Sequence, residues 1–206
     1  MARPFAFRRN HLSQRYVARS DRVAPSTTVS STTVSSTARE IPTSATTIDL
    51  RDLALDTTQS APNVVIGANL DDLVLPQGKL PGTRFERCSF ARASLQGADL
   101  AAIEFFGCTA TNANFDGANL DNTMFVGSDL SGSSFANSSL RHAVALGGSL
   151  ARANLVGADL TSAVFSNVDL RGANLAYAVL ANAAGDFLWD DETVWPAGFV
   201  PIAAAV

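Results

Sequence analysis

Between Leu80 and Leu180 every fifth residue is Leu or Phe, with two exceptions, Ala110 and Ala145, in 21 consecutive occurrences. Two residues before these positions the side chain is small in the main, as at Thr83, Cys88, Ala93, Ala98, Ala113, Ala118, Thr123 and Ser128. Two residues after them Gly or Asn recurs, as at Gly97, Gly107, Asn112, Gly117, Asn122 and Gly127. A period of five suits no ordinary element. On a helix each step turns the side chain by roughly 500°, so the leucines would spiral around the surface. On a flat strand an odd step flips each one to the opposite face.

A chain that runs extended for a few residues and then turns a corner does bury them. The Leu or Phe and the small residue two before it then share the inward side, and Gly or Asn supplies the positive φ of the corner. Four corners close a square coil of about 20 residues, and parallel stacking at roughly 4.8 Å pairs each wall with the one beneath. The columns support this closure. Residues 20 apart sort by type, with Leu80, Leu100, Leu120, Leu140, Leu160 and Leu180 on one wall and Phe85, Phe105, Phe125, Ala145 and Phe165 on another. A bare five-residue period would not require that sorting. The pattern therefore predicts an all-β, quadrilateral parallel β-helix, a solenoid of about five to six coils.

The motifs GANLDN, GADLTS, RGANLA and QGADLA resemble the A(D/N)Lxx signature of the pentapeptide-repeat family, over roughly residues 66 to 183. The resemblance implies a right-handed coil and a bacterial or phage origin. The ending DDETVWPAGF is similar to a segment that follows the repeats in many bacterial members. Four segments are expected: an arm over 1–47, an N-terminal cap over 48–66, the β-helix over 67–183, and a C-terminal cap and tail over 184–206. Phe187, Leu188, Trp189, Trp195, Pro196 and Phe199, where the register fails, are the expected lid over the open end of the coil.

Little in the chain points to catalysis. The only histidines are His11 and His142, so no cluster offers three metal ligands, and no nucleophile elbow, phosphate loop or paired carboxylates occur. No enzyme activity, metal or cofactor is expected. Cys88 and Cys108 lie 20 apart at the small inward position and are read as stacked, buried, free thiols.

Function is then expected on the outer faces. Three walls are polar; the Leu80 to Leu180 wall shows Lys79, Asp99, Asn119, Asp121, Ser139, Arg141 and Asp159. The phenylalanine wall differs, because its outward positions include Phe106, Met124, Val126, Val144, Leu146 and Val164. Such a patch is read as a protein-partner or homo-oligomer interface, the alternative being cover by the chain's own N-terminal extension or C-terminal tail.

The N-terminus adds a second feature. Net charge is only −4, yet residues 1 to 22 hold Arg3, Arg8, Arg9, Arg15, Arg19 and Arg22 against one acid, Asp21. Residues 23 to 47 repeat TTVSS and carry few large apolar side chains, so alone in solution this stretch is expected to be disordered. The arm is read as an anchor in a larger assembly such as a virion, or as a salt-sensitive contact to nucleic acid. An acid-poor start also suits an organellar presequence. No run approaches the roughly eighteen apolar residues of a membrane span, and no apolar run marks a secretory signal. A cytoplasmic or assembly-bound, non-catalytic structural scaffold is the leading expectation. The resemblance supplies the alternative, since some members imitate duplex DNA and bind DNA gyrase; residues 70 to 185 carry ten acids against seven bases, a weak duplex-like field.

Overall fold

The computed structural model describes residues 39–40, 64–80 and 82–201. The arginine-bearing part of the arm, most of the N-terminal cap and residues 202–206 lie outside the described residues. The chain forms one eight-stranded sheet, all parallel and in sequence order. Its strands are β1 Arg39–Glu40, β2 Val64–Ile66, β3 Arg84–Glu86, β4 Glu104–Phe106, β5 Met124–Val126, β6 Val144–Leu146, β7 Val164–Asp169 and β8 Ala184–Leu188. This sheet is the phenylalanine wall, where Phe85, Phe105, Phe125, Ala145 and Phe165 pair in succession. Isolated bridges with the same 20-residue step, such as Ser89 to Thr109, Asn114 to Ser134 and Asn119 to Ser139, hold the other three walls. The result is a parallel β-solenoid of about six turns with no helix among the described residues. β2, inside the segment read as a cap, already pairs in step with β3, and β1, inside the segment read as an arm, pairs with β2.

The corners follow from the ladder. Thr123 N–H donates to the Leu120 carbonyl at 3.2 Å and Ala158 N–H to the Leu155 carbonyl at 3.1 Å, closing tight turns. Asn122 and Gly157 take φ of 59° and 68° there, as the sequence suggests. Residues with no such preference do the same: Arg87, Ala102, Ser162 and Tyr177 have φ of 53°, 56°, 59° and 61°. The reason is the neighbouring coil. Ala102 N–H donates to the Asp121 carbonyl and Ser162 N–H to the Ala181 carbonyl, each at 2.8 Å, so the stacked backbone holds the corner whatever side chain stands on it.

Inside, like side chains stack along the axis. Phe105 lies on Phe125 with centroids 5.2 Å apart and planes 8° apart, and Phe115 on Phe135 at 4.8 Å and 4°. Ala145 breaks the column and leaves an apolar cavity of about 20 Å³ between Phe125 and Phe165. In the same coil Gly148 holds the place of the small inward residue but is exposed, with φ of 85°, and a Cβ there would sit 2.2 Å from the Ser128 carbonyl oxygen. This coil leaves the phenylalanine column unfilled, and the Ser128 backbone leaves no room for a side chain at position 148.

The C-terminal end departs from the sequence expectation. Phe165 pairs with Gly185, but Val168 pairs with Phe187, so β8 has lost one residue of register. A Cβ on Gly185 would lie 1.6 Å from the Phe165 carbonyl oxygen, and Phe187 meets the Phe165 ring edge-on at 6.3 Å. The failure does not extend to Phe199. Val194 pairs with Asn174 at the old step of 20, Thr193 is buried, and Trp195 packs against the core in the column that holds Leu175. Phe187, Trp195 and Phe199 follow one another in ring contact at 5.3 and 5.0 Å, and Trp189 meets Trp195 edge-on. Between slip and recovery, Asp190 stands where the column would place a leucine. Its carboxylate accepts from Gly172 N–H at 2.9 Å, Thr193 Oγ1 at 3.0 Å and Glu192 N–H at 3.2 Å. The Gly172 N–H in particular holds its pKa below the ordinary carboxylate value, against some desolvation.

Three outcomes follow. Gly148→Ala lowers stability by about 3 kcal/mol or more, because a β-carbon meets backbone at a positive φ. Ala102→Gly raises it by about 1 kcal/mol by relieving a left-handed non-glycine corner. Denaturant titration measures both. Asp190→Asn lowers Tm at neutral pH. A carboxylate with a depressed folded pKa stabilises above its unfolded value and loses that contribution as pH falls through the folded one, so the Tm gap closes below about pH 4.

Candidate functional site

The extended backbone of the phenylalanine wall sends the two flanks of each inward residue outward. Parallel pairing at a fixed step of 20 then stacks those flanks into two columns. One runs Arg84, Glu104, Met124, Val144, Val164 and Ala184; the other runs Glu86, Phe106, Val126, Leu146 and Ser166. All six residues singled out from sequence, Phe106, Met124, Val126, Val144, Leu146 and Val164, therefore share one face across β4 to β7. Five are half-buried; Val164 is 42% exposed.

Charge closes the patch at its N-terminal end. Arg84 Nε lies 2.7 Å from Glu86 and its Nη1 3.6 Å from Glu104, while its guanidinium sits 4.1 Å above the Phe106 ring. Sequence reading missed this cluster, although Arg84, Glu86, Glu104 and Phe106 are adjacent in the same 20-residue columns. At the other end Ser166 and Asp186 return the surface to polar, and Asp186 accepts from Asn167 N–H at 3.1 Å.

The other walls are mainly polar, with Val74, Val179 and Val194 exposed at the ends of otherwise polar columns and Tyr177 exposed at a corner. Asn119 Nδ2 donates to Asp99 at 3.0 Å and Asn154 Nδ2 to Ser134 at 3.1 Å, and the Ser134 and Ser139 hydroxyls donate to Asp116 and Asp121 at 2.5 Å. Asp72, Asp159 and Asp169 are held below the ordinary carboxylate range chiefly by hydrogen bonds from Arg92, Thr161 and Arg171. Among the described residues no group of three His, Cys, Asp or Glu could hold a metal, and no helix is long and apolar enough to cross a membrane. The arginines expected to anchor the arm, Arg3 to Arg22, lie outside the described residues.

Family models now place the fold. A model of a pentapeptide repeat region matches residues 98–175 and one of pentapeptide repeats in eight copies matches residues 67–101, together more than half of the chain. The chain belongs to the pentapeptide-repeat family. No curated protein matches this pentapeptide-repeat chain. Among solved structures it is similar to the pentapeptide-repeat protein Rfr23 from the cyanobacterium Cyanothece 51142, at 23% identity over 71% of this chain and 96% of that one, TM-score 0.26. It is also similar to HetL, involved in heterocyst differentiation regulation in Nostoc sp. strain PCC 7120, at 20% identity over 74% and 97%, TM-score 0.26. A third is a trypsin-treated variant of QnrB1, a plasmid-mediated fluoroquinolone resistance protein, at 19% identity over 61% and 90%, TM-score 0.30.

Cys88 and Cys108 stack in neighbouring coils as free, buried thiols. Each donates to a carbonyl of the coil beneath, Cys88 to Val65 and Cys108 to Phe85, at 3.4 Å. The Cys88 sulfur, and then burial, push the Cys108 thiol above its ordinary range. Native Cys108 is therefore expected to resist alkylation by iodoacetamide at neutral pH and to react readily in denaturant, which peptide mass mapping reads directly.

Proposed function

We propose that this pentapeptide-repeat protein is a non-catalytic interaction scaffold whose rigid coil presents the phenylalanine wall to a protein partner or to another copy. One observation carries the reading. Apolar side chains stand side by side in the outward columns of one wall over four successive strands, whereas Val74, Val179 and Val194 on the other walls are exposed at the ends of columns that are otherwise polar. Soluble proteins seldom leave a contiguous apolar patch uncovered unless it binds something. The arm adds an anchor. Its six arginines and Ser/Thr-rich linker suit insertion into a larger assembly, a part of the reading that rests on sequence.

The gyrase-binding alternative finds less support. Acids and bases are interleaved along the coil, with Arg84, Arg92, Arg141 and Arg171 each within ion-pair reach of an acid, so no continuous acidic face forms. A supercoiling assay with purified gyrase separates the two readings: inhibition at micromolar protein would favour the alternative.

The double substitution Val126→Glu with Leu146→Glu places two charges on the patch while leaving every inward residue in place. It is expected to abolish association of the protein isolated from its native source, measured by light scattering after size exclusion, with Tm changed by only a few degrees. Unaltered association would sink the docking reading.

A further inference from the structure

From Leu80 to Val179 every coil but one carries at least one phenylalanine inside. Phe85 and Phe90, Phe105 and Phe115, Phe125 and Phe135, and Phe165 fill the coils that begin at Leu80, Leu100, Leu120 and Leu160. The coil that begins at Leu140 has Ala145, Leu150 and Leu155 at those places. The other alanine in these columns, Ala110, is compensated by its neighbours, because Phe90 of the adjoining coil meets Phe105 edge-on with centroids 5.5 Å apart. Ala110 is accordingly buried.

Around Ala145 the lost volume is not recovered. The cavity of about 20 Å³ lies between Phe125 and Phe165, with Leu130, Leu140, Leu150 and Leu160 around it, and no polar atom lines it. Its lining keeps a residual accessible surface. Ala145 and Leu150 are 6% and 7% exposed, against 0% and 1% for Phe85 and Phe90 in the same two columns.

We propose that this cavity is a binding site for one small apolar gas molecule of the dioxygen class. Size is the first ground. About 10–15 Å³ suffices for a single water-sized guest, whereas a cavity known to take an aromatic guest measures about 150 Å³. Only a molecule of a few atoms fits.

Polarity is the second ground. Water needs two to four polar partners to enter a protein interior, and this lining offers none, so the cavity rejects water of a size it would otherwise hold. An apolar diatomic gives up no hydrogen bond on leaving water. It regains, against the carbon lining, part of the dispersion contact that was lost where the column drops its ring. Phe125 and Phe165 stand two rungs apart, roughly 9.6 Å, with only the Ala145 methyl on the rung between them. Two heavy atoms bind at about millimolar at best, so the site fills as gas pressure rises and empties as it falls. It lies directly behind the docking wall, since Val144 and Leu146 flank Ala145 on β6, yet it stands independently of that reading.

The test uses the full chain with isotope-labelled methyl groups, its methyl NMR spectra recorded under dioxygen and under nitrogen at equal pressure. Dioxygen is paramagnetic and broadens the resonances of the methyls it sits beside. The expected result is broadening several-fold greater at Leu140, Leu150 and Ala145 than at Leu95 and Leu100, which lie in the filled part of the core. Broadening no greater at the first set than at the second would overturn the proposal. Ala145→Phe restores the ring and is expected to remove the excess at Leu140 and Leu150, with Ala145→Leu as a second variant should the larger side chain distort the coil. Excess broadening that persists undiminished in a folded variant would also overturn it, because the guest would then sit elsewhere.

Discussion

Everything in this molecule depends on one constraint, the parallel hydrogen-bond ladder that joins each residue to the one 20 positions later. A parallel pair leaves no freedom once its step is set, because a slip of one residue would send inward side chains out on every wall. The ladder also reaches the corners, where N–H groups such as those of Ala102, Asn122 and Ser162 donate to the next coil. Corner geometry is therefore a property of the stack. That is why Arg87 and Tyr177 can occupy left-handed positions that isolated turns would give to glycine or asparagine.

The same ladder converts sequence period into surface. Residues that occur once per 20 become neighbours roughly 4.8 Å apart, so a modest compositional bias in one register becomes a continuous stripe. Met124, Val144 and Val164 are unremarkable singly. Stacked, with Phe106, Val126 and Leu146 beside them, they form a face unlike the other three. In an ordinary fold, surface patches arise from residues scattered through the chain; here a patch is a column, and its limits are the rungs where Arg84 with its two glutamates, or Ser166, enter that column.

Most of the coil was legible because its code is local and repeated: inward Leu or Phe, small residue, corner. The stacked phenylalanines, the free thiols and the candidate wall all follow from counting by fives and twenties. What escaped was set by interactions between coils. No residue type announces that Ala102 will adopt positive φ, since the cause lies in the Asp121 carbonyl of the next coil. The slip at Gly185 was hidden for a similar reason: it depends on a backbone approach to Phe165 that only glycine allows. Trp195 could have been placed, because it continues the column of Leu155 and Leu175, but the irregular stretch before it broke the count.

That irregular stretch shows how such a stack ends. A ladder that kept its step of 20 would present a further apolar cross-section and invite another coil. Dropping one residue between Phe165 and Phe187 turns the aromatic ring across the end of the phenylalanine column in place of stacking it flat. Asp190 then takes up Gly172 N–H, a donor that the next coil's carbonyl would otherwise receive, and Trp195 and Phe199 lie over the remaining core. Termination thus uses the same elements as propagation, a backbone donor and an inward ring, each supplied out of register. The wall survives this ending because the slip falls beyond Val164, so the apolar columns on β4 to β7 keep the uninterrupted pairing that makes them one surface.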